Sequence, residues 1–138
     1  MTSQLNVDTI VDKAGSGGSN VKIANTSTYV SDGGAKTQNT VQSLTKAWLK
    51  HHSGTAAVYD SFNHSSLSDI GTGRNQCFLT NAMSSGNNSC TGSDEAGITL
   101  ISNQIGMAAS TYSSDHISTG GSWQDAGNCS TQMNGDLA

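Results

Sequence analysis

Proline is absent from the 138-residue sequence, and charged side chains make up only 12% of it. Disordered chains usually combine abundant proline with high net charge, so these two absences argue for a folded protein. Large apolar residues are scarce as well: 7 Leu, 7 Ile, 6 Val and 2 Phe make up about a sixth of the chain. A monomer of this size buries roughly two-thirds of its unfolded surface, so here much of the burial must come from small and polar side chains. The six cations, Lys13, Lys22, Lys36, Lys46, Lys50 and Arg74, are scattered, and ten acidic groups outweigh them to a formal charge of −4. Without a basic patch there is no footprint for phosphate neutralisation, and no nucleic-acid partner is expected. No apolar run approaches about 18 residues, and residues 1–6 lack a basic stretch ahead of an apolar one. Neither a membrane span nor a signal peptide is therefore expected, and the sequence predicts a soluble product made in a cytoplasm.

What the sequence holds in quantity is 22 Ser, 15 Thr, 12 Asn and 16 Gly, together 65 of 138 residues. Apolar area buried against other copies of the chain would offset the thin core, so a homo-oligomer is expected. Residues 5–12 alternate, with Leu5, Val7, Thr9 and Val11 on one face and Asn6, Asp8, Ile10 and Asp12 on the other, the pattern of a half-buried strand. A Gly/Ser-rich break follows, then short runs at 21–23 and 27–30 with a turn at 31–34. Such an arm has almost no core of its own and needs a partner to order it. Over residues 40–50, Val41, Leu44 and Trp48 recur at helical spacing with Lys50 at the favoured C-terminal end, which predicts one short helix. From residue 56 onward the pattern is all β. Strands are expected at 57–63, 66–70, 74–80 and 96–102, with Gly71-Thr72-Gly73 as a hairpin turn and further strands within 106–112 and 121–129.

Chemistry-bearing groups are sparse. Cys77, Cys90 and Cys129 are an odd number without metal-type spacing and read as small buried thiols, their pairing left open. Adjacent residues of a strand point to opposite faces, so His51 and His52 cannot readily share one ion; His64 and His116 are the remaining imidazoles, and no metal site is expected. Asp60, His64 and one of many serines could be assembled into a triad on paper, but no Gly-x-Ser-x-Gly elbow is present. Asp94-Glu95 falls in a Gly/Ser-rich turn. The sequons at Asn25, Asn63, Asn87 and Asn128 are what chance yields in such a composition. Tyr112 and Trp123 are the candidates for stacking against a saccharide. No catalytic residue and no cofactor is expected.

Blocks of the sequence do carry a resemblance. Ser3-Gln4-Leu5-Asn6-Val7-Asp8-Thr9-Ile10-Val11-Asp12-Lys13-Ala14-Gly15-Ser16-Gly17-Gly18 resembles the opening of virion appendage and tail-fibre-like proteins of marine tailed phages, notably those of cyanobacteria. Lys46-Ala47-Trp48-Leu49, the run from Asp60-Ser61-Phe62-Asn63-His64 to Ser68-Asp69, Gly71-Thr72-Gly73-Arg74, Thr80-Asn81-Ala82-Met83 and the closing Gly135-Asp136-Leu137-Ala138 are similar to the same family. Together, in order, the blocks cover about half of the chain. The resemblance implies a homotrimeric structural protein of the virion, without enzymatic activity, that contacts other proteins of the tail or capsid. Its expected architecture is mainly β: an attachment arm over 1–37, a helical neck over 38–52 and an antiparallel, jelly-roll-like β-sandwich head over 53–138. Leu5, Val7, Thr9, Ile10 and Val11 would dock onto the particle, and Val41, Leu44 and Trp48 would line the trimer neck. No long shaft separates arm from head, which leaves a tail fibre or tail-associated appendage first and a capsid-decorating fibre or knob second. Binding of a host-surface glycan by the head, through Tyr112 and Trp123, is a third expectation.

Overall fold

The computed structural model describes residues 28–30, 37–39, 43–95, 98–100 and 107–135. The chain divides into two compact units, Met1–Val41 and Gln42–Ala138. In the first, β1 (Thr28–Val30) pairs antiparallel with β2 (Thr37–Asn39), Thr28 opposite Asn39 and Val30 opposite Thr37. The proposed docking residues Leu5, Val7, Thr9, Ile10 and Val11, and Val41 of the expected neck, lie outside the described residues.

The second unit is mainly β, built from two four-stranded antiparallel sheets. One contains β3 (Thr45–His52), β4 (Ala57–Phe62), β7 (Ser89–Asp94) and β10 (Cys129–Asn134), in the order β4-β3-β10-β7. The other contains β5 (His64–Gly71), β6 (Arg74–Leu79), β8 (Ile98–Leu100) and β9 (Thr111–Ile117), in the order β5-β6-β9-β8. Consecutive strands β3–β4 and β5–β6 pair within their own sheets. Strands β8 and β9 likewise pair within one sheet, and the other four consecutive connections of the unit cross between the sheets.

The expected helix is the larger correction. Thr45–His52 is a strand, and no helical element is defined among the described residues. The helical stripe rested on three apolar residues, whereas the same segment also alternates. Ala47, Leu49 and His51 are buried while Trp48 and Lys50 are exposed. Ladder pairing to β10 on one side and β4 on the other decides between the two periods, because a helix this short is marginal in isolation. As a result, β3 is a central strand of the second unit.

Inward-facing residues of both sheets share one core. Ala47, Leu49 and Met133 come from one sheet, Cys77, Leu79 and Tyr112 from the other, and Met83 from the β6–β7 connection. Leu67, Cys90 and Met107 pack against this cluster from partly buried positions. At roughly 1.5–3 kcal/mol for each large side chain removed from water, this is a small core. Further along the strands, the same inner faces become polar.

Two tight connections set these faces. The chain passes from β4 to β5 through one residue, Asn63, at φ 60°. Asn tolerates this left-handed conformation better than most residues. Its amide Nδ2 donates to Lys46 O and Asn81 O, both at 3.1 Å, and its Oδ1 accepts from Asn81 N at 2.7 Å. Gly73, at φ 66°, closes the β5–β6 turn where a Cβ would lie 2.6 Å from His116 O and 2.7 Å from Gln124 N. Its own carbonyl accepts from His116 N at 2.7 Å.

Candidate functional site

The polar part of the core is set by strand register. Cys129 on β10 stands opposite His51 on β3 and opposite Asp94 on β7, so one cross-strand row carries His51, Cys129 and Asp94 on the inner face. From the facing sheet, Asn75 on β6 pairs with Ser114 on β9, and His116 follows two residues later on the same side. His51, Asn75, Ser114, His116 and Cys129 are essentially inaccessible to solvent.

These side chains form a hydrogen-bonded line. Asp94 Oδ2 accepts from His116 Nδ1 at 3.1 Å, and His116 Nε2 meets Ser114 Oγ at 3.0 Å. Ser114 Oγ lies 3.5 Å from His51 Nε2, and the two imidazole rings are 5.6 Å apart between centroids. Asn75 Nδ2 donates to Ser53 O at 2.9 Å, and Ser53 and Ala126 exchange backbone and side-chain hydrogen bonds that close this end of the core. Cys129 Sγ donates to Ala126 O at 3.4 Å. Burial, then the neighbouring imidazoles of His116, His64 and His52, lower the His51 pKa to about 4, so this ring is neutral at pH 7. One ligand atom each from His51, His116 and Cys129 lies within 4.8 Å of the other two.

The line Asp94, His116, Ser114 has the order of a nucleophilic triad, but Ser114 and His116 are 0% and 1% exposed, so it presents no face to a substrate. The triad imagined from sequence does not assemble. Asp60 is exposed on β4 and accepts from Ser61 N, while His64 is engaged with Tyr112. Asp94, read as part of a turn, ends β7 with its side chain 2% exposed. Its register opposite Cys129 turns it inward.

A second buried chain crosses between the sheets. His64 Nδ1 donates to Phe62 O at 3.1 Å, which leaves Nε2 to accept from the Tyr112 hydroxyl at 2.7 Å. That hydroxyl in turn takes the hydrogen of Thr131 Oγ1, also at 2.7 Å. Burial lowers the His64 pKa and raises that of Tyr112. Tyr112 is thus a core residue with 1% exposure, and its expected role as a surface contact for glycan is corrected. Trp123 is exposed, bridged to Ile117, with the Arg74 guanidinium 5.4 Å above its ring. All three cysteines are free, and burial raises the pKa of Cys77 and Cys90 to about 12 and of Cys129 to about 11.

On the opposite face of the β4-β3-β10-β7 sheet lies a shallow depression of about 460 Å³, bordered by Trp48, Lys50, Thr91, Ser93, Ser130 and Gln132. Trp48 pairs with Phe62 across β3 and β4, and the two are 37% and 53% exposed. Five of the six residues of the edge strand β4 are exposed, Val58 and Tyr59 among them. Leu44, just ahead of β3, is half exposed.

Sequence reasoning missed the buried cluster. His116 and Cys129 are far from His51 along the chain, and only pairing brings them together. The available signal was the alternation Ala47, Leu49, His51, which puts a histidine at an inward strand position.

No protein-family model, no curated protein and no solved structure matches the chain. Among the described residues, no helix is long and apolar enough to cross a membrane.

Proposed function

We propose that the chain is a structural component of a phage virion, a tail fibre or tail-associated appendage. It docks by its N-terminal arm and projects residues 42–138 as a β-sandwich head, in a homotrimer. The virion assignment rests on the resemblance of the sequence blocks to marine tailed-phage appendages. The observation that supports self-association is the apolar edge of the head. Trp48 and Phe62 stand side by side on the outer sheet face, and Val58 and Tyr59 lie exposed along the edge strand. Monomers usually protect such an edge with charge, proline or a covering segment, and a second copy supplies the cover here. Leu44 and Trp48 then serve association through a sheet face rather than through a helical neck.

Sedimentation velocity of the purified chain tests the assembly: a species of three times 14.2 kDa is expected, and a stable monomer counts against it. Immunogold labelling of phage particles with an antibody to the chain tests the placement. Label confined to tails supports the appendage, label spread over the shell supports capsid decoration, and unlabelled particles remove both.

A host-glycan contact is the second reading, and the outer depression favours it. Trp48 offers a stacking face beside the amide and hydroxyl groups of Gln132, Thr91, Ser93 and Ser130. Glycan-array binding that is lost in Trp48→Ala supports this reading; an array without hits removes it.

A further inference from the structure

We propose that His51, His116 and Cys129 form a buried site for a divalent metal of the zinc class, which joins the two sheets to each other. His51 and Cys129 face one another across β3 and β10, His116 reaches in from β9 of the other sheet, and their ligand atoms already lie within 4.8 Å of one another. Metal-bound imidazoles commonly donate their second N–H to a carboxylate. His116 makes that bond to Asp94 through Nδ1, which turns its Nε2 toward the Ser114 hydroxyl that His51 Nε2 also approaches.

A second, independent observation is the hydrogen-bond deficit of His51. If its proton sits on Nε2, the ring reaches Ser114 Oγ at 3.5 Å and Nδ1 is a buried lone pair without a hydrogen-bond partner. If the proton sits on Nδ1, the Nε2 lone pair faces, at 3.5 Å, a hydroxyl that lies closer to His116 Nε2, at 3.0 Å. Either tautomer leaves a nitrogen of a wholly buried imidazole without a good partner. A cation between the rings takes up the Nε2 lone pair of the second tautomer.

Two imidazole nitrogens and a sulfur suit zinc-like ions, whereas magnesium and calcium prefer oxygen. With metal–nitrogen bonds of about 2.0–2.1 Å, the edges of a tetrahedral site run to about 3.3 Å. Ser114 Oγ, 3.0 and 3.5 Å from the two Nε2 atoms, stands near the fourth corner. On binding, the Cys129 S–H releases its proton to solvent and the freed lone pair forms the metal–sulfur bond; nothing is oxidised or reduced. The thiolate and the Asp94 carboxylate together balance the two positive charges, as a buried ion requires. In a chain short of large apolar residues, a metal tied to β3, β9 and β10 adds the cohesion that a small core lacks.

The test uses the full chain, refolded with Zn²⁺, Co²⁺ or Mg²⁺ and freed of excess ion by gel filtration. One Zn²⁺ per chain is expected, with a rise in melting temperature that Mg²⁺ does not reproduce. The Co²⁺ form should show intense tetrahedral d–d absorption and a thiolate-to-cobalt charge-transfer band. Cys129→Ser should abolish that band, and Asp94→Asn should weaken Zn²⁺ binding 10- to 100-fold. If Cys129→Ser does not fold, the double variant Cys77→Ser, Cys90→Ser, in which Cys129 is the sole thiol, should retain the band. Folded wild-type protein that takes up no Zn²⁺, or a cobalt spectrum without the thiolate band, overturns the proposal.

Discussion

The Tyr112 hydroxyl accepts from Thr131 and donates to His64, so one oxygen atom satisfies buried groups on β5 and β10 from its place on β9. Tyr112→Phe keeps the ring in the core but leaves His64 Nε2 and Thr131 Oγ1 short of a partner. A loss of about 1–3 kcal/mol is expected, read as a lower urea midpoint at unchanged slope. The same network fixes the sign of a pH effect. His64 is held neutral, its pKa lowered from 6.5 chiefly by burial. The unfolded chain therefore binds more protons than the fold once the pH drops below 6.5, so the stability contributed by neutral His64 is complete above that value. It is lost as the pH falls through the depressed folded value. Urea unfolding at pH 7.5, 6 and 5 should show falling midpoints, with a smaller decline in His64→Gln. The thiols behave as buried groups with raised pKa values. In native protein at pH 7.5, Cys77 and Cys129 should react with a disulfide reagent far more slowly than after unfolding. Asn63 shows how a residue can be misjudged in isolation: its sequon carries no information, while its side chain ties β4, β5 and the segment after β6 together.

Among the strands and turns, the β5–β6 hairpin was the clearest in the sequence. Gly71-Thr72-Gly73 sits between two runs of strand-forming residues, and the structure places β5 and β6 there. Gly73 is needed for its backbone as well as its size. Gly73→Ala should cost about 2 kcal/mol or more, from a strained positive φ together with a contact at 2.6 Å on the His116 carbonyl, measurable by thermal and urea denaturation. Strands β4 and β8 were also foreseen. β9 was only glimpsed: it runs over Thr111–Ile117 and overlaps the expected 106–112 at two residues. β3 and β7 were misread for different reasons. In β3, a three-residue helical stripe coexists with a two-residue alternation, and sheet pairing selects the second. In β7, Ser89-Cys90-Thr91-Gly92-Ser93-Asp94 has no apolar alternation, because most of its side chains are exposed and its ladder to β10 supplies the order.

Taken across the two-sheet unit, the apolar residues divide between a small core and the exposed edge around Trp48 and Phe62. Because Trp48 and Phe62 are only partly covered in the single chain, a Trp48→Ser, Phe62→Ser double variant should cost the monomer about 1–3 kcal/mol, read as a lower urea midpoint. It should shift the sedimenting species toward 14.2 kDa. A variant that remains a trimer would place the interface elsewhere. The all-β character and the shortage of core-forming residues followed from composition and turn spacing, since both are local properties of the chain. The inward convergence of His51, Asp94, His116 and Cys129 did not, since each lies on a different strand and becomes a neighbour of the others only through register and sheet pairing. Strand pairing is long-range: its side-chain neighbours are chosen by which distant segment supplies the hydrogen-bond ladder, and a single sequence without that ladder cannot name them.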